Sequence, residues 1–84
     1  MKLKEWRLTQ KHTLAKMADA LLIENARTYQ RYEEGENRID APLAERIMTF
    51  TSGAVSLQDL HDQRVSWLRD NRPAVFADVR EAAE

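Results

Sequence analysis

Cysteine is absent from the 84 residues, so neither a disulfide framework nor a thiolate metal site is available, and a reducing cytoplasm is the expected setting. Glycine occurs only at Gly35 and Gly53, and neither stands between a strand pattern and a helix pattern. That excludes a glycine-rich phosphate loop. No apolar run is long enough to span a bilayer, and the opening MKLKEWRLTQ lacks the hydrophobic segment of a signal peptide, so a soluble protein with no membrane partner is expected. The two histidines, His12 and His61, lie far apart without a carboxylate at ligand spacing on a shared face. Both read as surface or cap residues, and no metal or other cofactor is expected. No Ser, His and Asp fall on elements that converge, and the pair Glu33-Glu34 reads as an exposed helix face with ordinary ionisation. Catalysis is therefore not expected.

What the chain does have is enough material for one small domain, near the size at which a single core just suffices. Net charge is −1, which gives no compositional support to nucleic-acid binding. Its distribution is uneven. Lys2, Lys4, Arg7, Lys11 and Lys16 crowd the start against Glu5 alone, whereas Asp40, Glu45, Asp59, Asp62 and Asp70 make the later part acidic. The positive end is the one expected to meet phosphates.

Helical periodicity runs through most of the chain. A first helix is expected from about Leu3 to Gln10, with Leu3, Trp6 and Gln10 on its inner side and Trp6 filling core volume. The stretch TLAKMADALLIENARTYQRYEEG then reads as two short helices around a tight corner. Leu14, Met17, Ala18 and Leu21 recur at i, i+3, i+4 and i+7, the spacing of one helix face, and Thr13 is placed to cap it. After the corner, Asn25 is a good N-cap and Gly35 a helix stop. On that frame Tyr29 and Tyr32 turn inward toward Met17, Leu21 and Ile47, and Ala26, Arg27 and Gln30 point outward. A fourth helix follows from Asp40 as cap with Pro42 in its first turn, where the missing N–H costs nothing. It carries Leu43, Ile47, Met48 and Phe50 and stops at Gly53. Ser56 and Asp59 resemble a capping box for a helix with Leu57, Leu60, Arg64, Val65 and Leu68 on one stripe. Asn71-Arg72-Pro73 breaks that helix, and Ala74, Val75, Phe76 and Val79 suggest one more short helix before a frayed end.

The two-helix stretch resembles the helix-turn-helix of the lambda-repressor-like (Cro/cI, XRE) transcriptional regulators. Met17-Ala18 and Leu21 match the first motif helix, and Thr28, Tyr29, Arg31, Tyr32 and Glu33 match the recognition helix closed by Gly35-Glu36. Asp40-Ala41-Pro42, Ala44-Glu45-Arg46-Ile47 and Thr51 to Leu57 continue the likeness through the fourth helix and the opening of the fifth. In place of the glycine usual in the corner stands Leu22, with one extra residue among Leu22 to Asn25. The resemblance implies an all-α, compact five-helix domain over residues 1–60, with a C-terminal helical extension over 61–84 that packs on the core or mediates dimerisation.

The function so implied is that of a small bacterial or phage repressor binding a palindromic operator in double-stranded DNA as a homodimer. Ala26, Arg27 and Gln30 would read bases, since arginine pairs with guanine, glutamine with adenine and an alanine methyl meets thymine. Asn25, Thr28, Arg31 and Arg38 would hold the phosphate backbone. Two rival readings belong to other classes. One is a protein-interaction module, an antitoxin or adaptor, whose acidic helices bind a protein partner. The other is a structural subunit that oligomerises through its tail.

Overall fold

Caps decide where each helix begins. The computed structural model describes residues 1–77, which form six helices and no strand. Helix α1 covers Leu3–Thr9, α2 Leu14–Ala20, α3 Ala26–Glu34, α4 Ala41–Phe50, α5 Leu57–Asn71 and α6 Ala74–Ala77. Thr13, Asn25, Asp40 and Ser56 each accept a hydrogen bond from a backbone N–H in the first turn of the helix they precede. At Ser56 the exchange is reciprocal, because Asp59 returns a bond to the cap backbone. The Asp59 carboxyl is held at about 2 by the Met1 terminal amine, 2.8 Å away, and by the Ser56 N–H.

Several corners use left-handed backbone. Gly35 closes α3 with φ +93°, and Gly53 follows α4 with φ +82°. Leu22 takes the same conformation in the α2–α3 corner, with φ +60° and 78% of its surface exposed. A side chain with a Cβ carries strain there that glycine avoids.

One core forms from α1 to α5: Leu3, Met17, Leu21, Tyr29, Ile47 and Val55 are all but fully enclosed, with Ala18, Leu43, Ala44 and Leu60 around them. Fully burying an aliphatic side chain of this kind contributes about 1.5–3 kcal/mol. Trp6, Leu14, Ile23, Tyr32, Ile39 and Phe50 pack against that cluster half-buried. Trp6 meets Phe50 edge to face at 5.3 Å, and the His12 ring stands 5.8 Å from Trp6 and stacks 6.2 Å from Phe50. His12 is thus part of an aromatic cluster, a role its isolation in sequence concealed. Gln10, expected on the inner side of α1, is exposed at the helix C-cap. Leu57, counted in the apolar stripe of α5, is 57% exposed, although Val55 before it and Leu60 after it are both in the core.

Helix α5 runs unbroken from the core outward. Leu60 and Gln63 are buried, whereas Arg69, Asp70 and Asn71 are exposed. At its far end the Arg69 guanidinium lies 5.5 Å from the ring of half-buried Phe76 on α6. Val79, expected to extend the last helix, and the residues after it lie outside the described range.

Candidate nucleic-acid interface

Helix α3 has one face locked and one face free. Tyr29 enters the core completely, and its hydroxyl donates to Glu33 at 2.7 Å. Glu33, read from sequence as exposed, is buried. Arg7 of α1 meets it with two bonds, Nε at 2.7 Å and NH2 at 3.1 Å. The third guanidinium nitrogen donates to the His12 carbonyl at 3.2 Å. Burial, with the hydrogen bond to Glu33 added, pushes the Tyr29 phenol well above its ordinary value, and the same carboxylate raises Arg7.

The C-terminal end of α3 is held from α5. Gln63 donates to the Tyr32 carbonyl at 2.9 Å, and Arg64 NH1 donates to the carbonyls of Gly35 and Glu36. The Tyr32 carbonyl also accepts from the Gly35 N–H, whereas the Gly35 and Glu36 carbonyls lie past the helix end, where the helix itself supplies no donor. The corner is fixed from α4, where Arg46 Nε donates to the Leu21 carbonyl at 3.2 Å. No buried side-chain nitrogen or oxygen among the described residues lacks a partner.

With Tyr29 and Glu33 marking the inner line of α3, the opposite line falls on Arg27 and Arg31, one turn apart. Arg27 is exposed; Arg31 is half-buried and its Nε lies 3.7 Å from Glu36 Oε2. Ala26 and Gln30 form one half-buried shoulder of that face and Thr28 the other. The Thr28 hydroxyl reaches toward Glu24 at 3.5 Å, a long contact, and Asn25 is exposed with its carbonyl oxygen spent on the Thr28 N–H at 2.8 Å. Arg27 and Arg31 therefore share the outward line, with Ala26 and Gln30 on one side of it, Thr28 on the other and Asn25 at the N-terminal end. Arg38 lies apart: it is exposed beyond the other end of the helix, in the loop to α4.

The basic N-terminal segment divides. Lys2 and Lys4 border a groove with Glu33, Glu34, Trp67 and Asp70, beside the C-terminal end of α3 and away from Asn25. Arg7 turns inward to Glu33. The positive charge expected to gather toward phosphates is in part consumed inside the fold. Glu24, Glu34 and Glu36 are exposed around α3, so Arg27 works in a mixed field.

Sequence patterning missed Arg7, Gln63 and Arg64 as the residues that orient α3. Only Arg64 left a signal, as a charge interrupting an apolar stripe. Among the described residues no three His, Cys, Asp or Glu side chains come together as metal ligands, and no helix is long and apolar enough to cross a membrane. Comparison with known proteins finds no matching family model, no matching curated protein and no matching solved structure.

Proposed function

We propose that this chain binds DNA in a sequence-specific manner and acts as a transcriptional regulator. The observation that carries the proposal is the division of α3, with Tyr29 and Glu33 anchored within and Arg27 and Arg31 aligned on the outside. In this reading α1 to α5 form a five-helix domain of the lambda-repressor-like kind, α2 and α3 are its helix-turn-helix, and the remainder is an extension. The N-terminal end of α3 enters the major groove, where such motifs contact base edges. Arg27, Gln30 and Ala26 read bases, and Asn25, Thr28, Arg31 and Arg38 contact the backbone. A homodimer on a palindromic operator sets two such helices about 34 Å apart and represses by occupancy.

Selection of bound duplexes from a random pool tests this directly. Enrichment of a two-fold symmetric sequence with half-sites one helical turn apart is the expected result. A pool that stays random, with binding insensitive to salt, overturns the proposal.

The second reading, an antitoxin or adaptor that docks a protein, draws on Glu24, Glu34 and Glu36 around α3 and on the half-buried Trp67 in its groove. Capture of a protein partner together with sequence-indifferent DNA binding would favour it.

A further inference from the structure

Between the α3–α4 loop and the first half of α5 lies a cavity of about 220 Å³. Buried Ala44 and Leu60, with half-buried Ile39, give it an apolar floor. Its rim is cationic and amide-bearing: Asn37 and Arg38 from the loop, His61 and Arg64 from α5. Among the described residues no carboxylate lines it.

Of the acids nearest in sequence, Glu34 and Glu45 are exposed and border other grooves, and four more are engaged elsewhere. Glu36 faces Arg31, Asp40 accepts from the Leu43 N–H, Asp59 takes the Met1 amine and the Ser56 N–H, and Asp62 accepts from Gln58. Arg64 spends NH1 on two carbonyls, while its Nε and NH2 make no hydrogen bond among the described residues. Arg38 is exposed and likewise makes none there. Arg38 and Arg64 thus border one small apolar-floored space, the Arg64 guanidinium lying 5.6 Å from the Trp67 ring, and among the described residues neither has a carboxylate partner.

We infer that this cavity binds a small organic monoanion, a carboxylate bearing a ring or a short chain. Guanidinium donors match carboxylate geometry, and the floor accepts the apolar body. An apolar cavity of about 150 Å³ already holds benzene, so the space here takes a six-membered ring with its carboxylate at the rim. The site shares Arg38 with the proposed phosphate contacts, so it is tested in the absence of DNA.

The test is a titration of the full chain, without DNA, with sodium benzoate at constant ionic strength, followed through backbone amide shifts. Saturable shifts at Asn37, Arg38, Ile39, His61 and Arg64, at benzoate concentrations around the millimolar range, are expected. Benzyl alcohol, which keeps the ring and drops the charge, and inorganic phosphate, which keeps the charge and drops the ring, should both bind at least about tenfold more weakly. Arg38→Gln removes an exposed side chain and should weaken benzoate about tenfold while leaving the melting temperature unchanged. Leu57→Glu sets a carboxylate at the mouth, on an exposed first-turn position where an acid suits the helix dipole, and should abolish binding. Absence of saturation, equal titration by either probe, or undiminished benzoate affinity in both variants would overturn the inference.

Discussion

Arg7 and Glu33 are joined by two hydrogen bonds, 2.7 and 3.1 Å, that tie α1 to α3 across 26 positions of sequence. Side-chain exposure is 11% for the arginine and 3% for the glutamate. At that burial the pair is worth little as a net gain in stability, because desolvation offsets attraction. Its consequence is orientation: α3 cannot rotate without breaking both bonds from Arg7, and the Tyr29 hydroxyl, one turn back on α3 itself, holds the Glu33 carboxylate in place to receive them.

Glu33→Ala should therefore destabilise by about 3 kcal/mol or more, since it strands a largely buried guanidinium and a buried phenol. The double substitution Arg7→Met with Glu33→Leu should recover much of that loss. Urea midpoints of the parent, Arg7→Met, Glu33→Leu and the double close the cycle. Additive losses would mean that the two residues act separately.

Alkaline pH offers an independent reading of Tyr29. The fold keeps its phenol protonated beyond the ordinary value of 10.0, so the contribution is whole below that pH and falls as pH rises through and above it. Once the unfolded phenol ionises, each further pH unit should remove about 1.4 kcal/mol. Tyr29→Phe should have a shallower alkaline slope by one proton. Parallel stability curves for parent and variant between pH 9 and pH 11.5, roughly the range in which a free tyrosine ionises, would contradict this.

Leu22→Gly should stabilise. The leucine is mostly exposed, so little burial is lost, and relief of the left-handed backbone is worth about 1–2 kcal/mol. Added freedom of glycine in the unfolded chain offsets about 0.5–1 kcal/mol of that. A melting temperature a few degrees above the parent is expected, and a lower one would show that the exposed leucine contributes packing of its own.

The two glycines should respond differently to alanine. A Cβ at Gly35 would collide with the Gln63 carbonyl and crowd the Trp67 Cβ at 3.1 Å, whereas one at Gly53 meets nothing within 4 Å among the described residues. Gly53→Ala should cost only the left-handed penalty, about 1–2 kcal/mol. Gly35→Ala should cost at least about 2 kcal/mol beyond that, because α5 must move. Thermal melts of both variants decide it.

On DNA, Arg27→Ala should relax base preference at one operator position, with a loss of about 1–3 kcal/mol on the selected site. Arg31→Ala should weaken binding across sequences and lower the salt slope by about one contact. Parent-like titrations for both would remove α3 from the interface.

Local chemistry made much of this fold legible from sequence. Thr13, Asn25, Asp40 and Ser56 were readable as caps because capping needs only a side-chain oxygen next to a periodic segment, and each caps the expected helix. Tyr29 was readable as buried because its period matches that of the surrounding helix. Arg7 and Glu33 were not, since a charge that pairs 26 residues away looks identical in sequence to a solvated one. Gln63 and Arg64 escaped for a related reason: their acceptors are main-chain carbonyls, and every residue carries one. On α3 the sequence centred the outward face on Ala26, Arg27 and Gln30, whereas the line opposite Tyr29 and Glu33 carries Arg27 and Arg31, and Ala26 and Gln30 are half-buried. The charge balance of that face was not legible, because Lys2, Lys4 and Arg7 are distributed by tertiary packing and not by position in the chain.

Asn25 and Gly35 confine α3 to nine residues, an axial length of about 13.5 Å. Stacked base pairs rise about 3.4 Å each, so a single copy laid along a groove could inspect no more than about four of them. Four base pairs recur by chance throughout any genome, and a lone molecule would have almost no address. Selectivity in the proposed complex must then come from counting copies: the spacing between two short readers, fixed by whatever joins them, would carry as much of the message as the letters either one touches.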